Sequence, residues 1–197
     1  MFGRFLRPHP RPRYVPQRAF PAYAHDPGIT AHPYRDEGGH SRGQSEPTVP
    51  PVDPADPMAS EALLWGLDLF NHGYFWEAHV WWEAIWVAHE RSGDLAEVVQ
   101  ALIKLAAAGV KARAVVPGGV RSHCEGAAEL LDGVRARSGK RWMLGIDLAE
   151  LSDLARSVAD RTPDQGKHND LQDDRWAWSL RLGDPAGRGR VDPTAGL

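Results

Sequence analysis

The sequence has a single cysteine, Cys124, so no intramolecular disulfide can form and a reducing compartment is the natural setting. It has no excess of positive charge: Lys and Arg total 23 against 26 Asp and Glu, a net charge of −3. Binding to nucleic acid by phosphate neutralisation is therefore not expected. No apolar run is long enough to span a bilayer, and the start MFGRFLRPHPRPR lacks the continuous apolar segment of a secretory signal. These absences predict a cytoplasmic protein with neither a membrane nor a nucleic-acid partner. There is also no Gly-rich phosphate loop between a strand and a helix, because no stretch reads convincingly as a strand.

What remains is divided unevenly. Residues 56–160 are rich in Leu, Ala, Val and Trp, whereas most prolines fall in the first fifty positions. This shift marks one helical domain over 56–160, a Pro-rich arm and linker over 1–55, and a tail over 161–197. The fold class expected is all-α: a compact antiparallel bundle of about five helices with extended, mostly irregular flanks.

The first helix is expected from Pro57 to about Phe70, capped by Asp56, with Met58, Ala62, Trp65 and Leu69 on one side. The second, Tyr74 to about Glu90, is apolar or small almost all round, which marks a central helix. In the third, Asp94 and Glu97 have the spacing of a capping box, and the helix stops before Pro117-Gly118-Gly119. The fourth, Val120 to about Ser138, carries Cys124, Ala127, Ala128, Leu131 and Val134 on one stripe. The fifth is capped by Asp147, with Ile146 set to staple onto Leu151.

The N-terminal flank does not read as a plain linker. Between Phe20 and Ser41 it mixes Tyr23, His25, His32, Tyr34, Arg35, Asp36 and His40 with Pro and Gly, a texture costly to leave in water. It is expected to lie against the helices, with His32, Arg35, Asp36 and His40 reaching toward any polar group there. Residues 43–54 read as a polyproline-type tether. In the tail, Trp176, Trp178, Leu180 and Leu182 alternate with polar or small residues, which suggests either a docked extended piece or an exposed tail.

The run Leu69-Phe70-Asn71-His72-Gly73-Tyr74-Phe75-Trp76-Glu77-Ala78-His79, followed by Glu83 and Trp86, resembles the family called domain of unknown function 309. Gln100-Ala101-Leu102-Ile103-Lys104-Leu105-Ala106-Ala107 resembles that family's second motif. The resemblance spans roughly Glu61 to Leu131 and implies a compact helical bundle with no established activity. Glu77, His79, Glu83 and Gln100 match the pattern. Val80 stands where an acidic residue often follows the histidine, and Lys104 where a second glutamine is common.

Glu77 falls on an apolar side of its helix with Tyr74, Ala78, Trp81, Ala84 and Ala88, while His79 and Glu83 lie a turn apart on another side with Trp76 and Trp86. A buried, ionised and unpaired carboxylate would cost several kcal/mol, so Glu77 must be paired, protonated or beside a wet cleft. It is expected to be hidden from bulk water and to accept from Gln100, Lys104 or the arm. Three readings stay open for Glu77, His79, Glu83, Gln100 and Lys104. One is a hydrogen-bond network that sets helix register; the second is a small-molecule pocket walled by Trp76 and Trp86. The third, a metal site, has the least support, because the Glu-x-x-His spacing is absent and Lys104 would repel a cation. Cys124 on an apolar stripe reads as a small hydrophobe. Neither an enzymatic reaction nor a cofactor follows from these residues. The strongest rival is a protein–protein interaction module, its Trp-rich face a surface for a partner or the seam of a homodimer, since eight tryptophans are hard to enclose in a core of this size.

Overall fold

A computed structural model describes residues 13–162 and residue 180. Among these residues five α-helices form: α1 (Glu61–Asn71), α2 (Phe75–Ala88), α3 (Gly93–Arg113), α4 (Pro117–Ser138) and α5 (Leu148–Arg161). Each packs on the next in sequence, as short connections require. Leu63, Leu67 and Phe70 of α1, Ala78, Trp82 and Ile85 of α2, Leu102 and Leu105 of α3, Cys124 and Leu131 of α4, and Leu148, Leu151 and Ala155 of α5 share one core. Two glycines permit the closest approaches. A Cβ on Gly66 would run into the Trp82 indole, and one on Gly109 into the Phe75 ring.

Local boundaries differ from expectation in four places. Residues Pro57–Ala59 form only a 3₁₀ turn, and Asp56 makes no capping hydrogen bond. Ser60 adopts an extended conformation instead, and its hydroxyl accepts from the Leu63 amide, so α1 begins there. At α3 the expected capping box is not formed: Asp94 and Glu97 both reach Arg137 near the end of α4, at 3.1 and 2.7 Å. A guanidinium across the groove draws these carboxylates more strongly than their own helix terminus does. Pro117-Gly118-Gly119 does not separate α3 from α4 but forms the first turn of α4, where a proline needs no N–H partner. Finally, Trp142–Met143 and Ile146–Asp147, labelled β1 and β2, pair as an antiparallel ribbon. The two-residue turn between them holds Leu144 and Gly145 at positive φ, the geometry of a tight hairpin. Asp147 caps α5 as expected, accepting from Ala149 and Glu150 N–H groups.

The arm lies along α1 and α2 without regular structure. Val15, His25 and Val52 are buried, and Phe20 stacks on Tyr74 and Trp65 at centroid distances of 5.0 and 5.5 Å. Of the tail segment 176–182, only Leu180 lies among the described residues. It is buried, and its backbone N–H and C=O both bond the side-chain amide of Asn71, at 2.7 and 2.9 Å. Among the described residues no helix is long and apolar enough to cross a membrane.

Candidate functional site

Besides Glu61, which pairs with Arg18 at the surface, four polar side chains of the helical region fasten the arm. On α1, Asp68 is fully buried; Oδ1 accepts from the Tyr14 amide and Oδ2 from the Val15 amide, each at 2.8 Å, with Arg13 Nε 3.6 Å away. On α2, Glu77 is 4 % exposed, and Oε1 accepts from the His25 amide at 2.8 Å and from His40 Nε2 at 3.1 Å. Arg113 of α3 bonds Asp26 at 3.1 Å. His89, just past α2, accepts the Val52 amide on Nε2 at 2.9 Å. A helical side chain meets an extended chain's N–H groups because the arm has no strand partner to satisfy them.

The two oxygens of Glu77 differ. Oε1 takes both hydrogen bonds, whereas Oε2 is buried with no partner among the described residues. His40 contacts Glu77 through Nε2 and the Ser41 hydroxyl through Nδ1 at 2.9 Å. A proton on Nε2 satisfies both contacts, since Nδ1 is then free to accept from the hydroxyl. Glu77 also lines a cavity of about 180 Å³ between the arm and the first two helices. Phe20, Tyr34, Trp65, Trp76 and Trp81 form its aromatic surfaces, and Arg18, His40, Ser41 and Gln44 its polar ones. The Arg18 guanidinium lies 4.3 Å from the centroid of Trp81 and 4.8 Å from that of Trp65, and it pairs with Glu61 at 3.2 Å. Burial, aided by the charge of Glu46, raises the Tyr34 hydroxyl pKa, which keeps it a donor. Burial, followed by the charge of His32, lowers the His25 pKa.

The residues singled out from the sequence do not all gather here. Glu77 and Trp76 line the cavity. His79 turns to another side of α2, with Nδ1 3.9 Å from Glu83, and burial is the chief cause of its lowered pKa. His123 of α4 senses Lys104, Lys111 and His79, in addition to the burial that is the main reason its own pKa is lowered. Lys104 thus belongs to the α3–α4 side, its ammonium over Gly126, and makes no bond to Glu77. Gln100 is half-buried on α3 and does not bond Glu77 either. Trp86 is half-buried under Arg91, whose guanidinium lies 5.3 Å from the ring centroid. Of the arm residues, His40 reaches Glu77, while His32 packs edge-on to Trp76 with His25.

Asp68, Arg18, Trp65 and Trp81 were not among the sequence candidates. Asp68 carries the same signal as Glu77, because it stands in Leu-Leu-Trp-Gly-Leu-Asp-Leu-Phe with Leu64 and Trp65 on the turn before it. Burial pushes the Cys124 thiol up to about 12, far from a nucleophile's range. Among the described residues no three His, Cys, Asp or Glu side chains are grouped to hold a metal ion. In a larger groove of about 330 Å³ beside Val49 and Val87, the polar side chains Glu46, Thr48, Glu83 and Arg91 are all exposed.

The span from Leu63 to Ser122 matches the family described as Domain of unknown function (DUF309). Residues 63–122 are a DUF309 domain. No curated protein and no solved structure matches the chain. The DUF309 segment supplies Asp68, Glu77, His89 and Arg113, yet every arm group they hold lies outside it. The cavity is therefore built jointly, with Trp65, Trp76, Glu77 and Trp81 from the DUF309 domain and Arg18, Phe20, Tyr34 and His40 from the arm.

Proposed function

We propose that this chain binds a small molecule in the cleft that the arm closes over α1 and α2. The observation that carries the reading is the division of labour in Glu77, a residue that lines the cavity: one oxygen fastens the arm, and the other is buried without a donor. A register device would use both oxygens, as Asp68 does, because an unsatisfied buried acceptor costs about 1–3 kcal/mol. An acceptor in that state is satisfied when a water or a ligand donates to it. The aromatic surfaces supply the apolar contact expected of a ligand site, with a few convergent polar groups to orient what enters. The half-buried tryptophans of α2 fit the same reading, since Trp76 and Trp81 find cover under the arm rather than against a second copy of the chain.

The test is a thermal-shift screen of compact metabolites on the full chain, read beside tryptophan fluorescence. A ligand that raises the melting temperature with concentration should also change the emission, because Trp65, Trp76 and Trp81 lie at the cavity. Protection of the arm amides from exchange should rise with it. Stabilisation without any change in emission or arm exchange would place the ligand elsewhere and end this reading.

A further inference from the structure

We infer that the cavity takes a compact organic ammonium, its N–H donated to Glu77 Oε2. The inference rests on the cleft reading and names its ligand class. An ionised carboxylate oxygen can only accept, so a ligand seated against it must donate. Anions are repelled by Glu77, and a ligand carrying acceptors alone leaves Oε2 as it is. That reduces the candidates to neutral donors and cations.

The aromatic surfaces decide between these two. A cation gains from the faces of Trp, Tyr and Phe, with Trp the strongest. A guanidinium from the protein itself already occupies such positions at the rim, over Trp81 and Trp65. The charge-assisted bond from an ammonium to a carboxylate is also about twice as strong as a neutral one. At about 180 Å³ the cavity falls below the ~300–1,000 Å³ of sites for drug-sized ligands. The ammonium must therefore sit on a short carbon chain.

Three probes of nearly equal size separate the possibilities on the full chain: n-propylammonium, 1-propanol and propionate, at matched ionic strength. Propylammonium should shift tryptophan emission and raise the melting temperature, and it should bind about tenfold more tightly than propanol. Propionate should do neither. Glu77→Gln keeps an acceptor for His25 and His40 while removing the charge, so propylammonium should lose about tenfold there and propanol little. An equal or stronger response to propanol or propionate in the wild-type chain overturns the ammonium assignment and leaves the cleft standing. No response to any of the three, in emission or melting, overturns the assignment and removes the support for the cleft with it. The wild-type comparison needs no variant, so it decides the matter even if Glu77→Gln folds poorly.

Discussion

Asp68 and Glu77 hold two stretches of one arm to two neighbouring helices, and they do so differently. Asp68 spends both oxygens on the Tyr14 and Val15 amides with Arg13 beside them. Glu77 gathers both of its donors on Oε1. Full satisfaction identifies a structural fastening, and half-satisfaction beside a cavity identifies a place where something else can be received. The same acid-to-amide change should therefore have unequal consequences at the two positions.

Asp68→Asn should be the more damaging. Its new NH₂ must face either the Tyr14 or the Val15 N–H, donor against donor, and Arg13 loses its charge partner. A loss of about 3 kcal/mol is expected, measured by denaturant unfolding, with arm amides near Val15 exchanging freely. A loss below about 1 kcal/mol would mean that the arm's first stretch is held by packing alone.

Lowering the pH tests the arm against the bundle. Burial lowers the pKa of His25 and of His89, so the unfolded chain binds protons there more readily. The stability they contribute is fully present above the ordinary histidine value near 6.5 and is lost as pH falls through their lowered values. Protonation of His89 also removes the lone pair that accepts the Val52 N–H. Arm exchange should thus accelerate below about pH 6 while helical circular dichroism holds. Simultaneous loss of both would show that arm and bundle unfold as one unit.

Glu77→Gln should cost about 1 kcal/mol or less. The amide oxygen can replace Oε1, and the NH₂ takes the position where no donor stands. Its signature is a weakened response to propylammonium rather than a change in unfolding midpoint. Smallest of all, Gln100→Ala and Lys104→Ala should each change stability by less than about 1 kcal/mol and leave ligand response and arm exchange as they were. A lost response in either variant would draw α3 into the site.

The sequence carried the bundle because helical periodicity reports burial, and α2 is apolar on nearly every side. It carried Glu77 for a related reason: a carboxylate among Trp and Ala must find a partner. It did not carry the partner's identity. Periodicity says which face a residue is on but not which neighbour covers that face, so Gln100 and Lys104 were as plausible as the arm. Lys104 in fact extends toward α4, where Gly126 leaves it room. The boundaries at Ser60 and Pro117 were obscured because proline both ends and begins helices, and hydroxyl capping depends on a local backbone angle. Asp68 was legible by the rule applied to Glu77.

The link between Asn71 and Leu180 bears on the order in which the chain can fold. Contacts among α2 to α5 join elements adjacent in sequence and close small loops, which favours their early formation. The bond between Asn71 and Leu180 spans 109 positions, with a correspondingly larger closure entropy. On the ribosome, where the N-terminal portion emerges first, α1 and the arm are made long before Leu180 exists. The end of α1 nearest the cavity is thus the last place to be sealed. A nascent chain stalled anywhere short of Leu180 lacks the backbone groups that Asn71 bonds in the finished protein, beside a bundle that is otherwise ready to form.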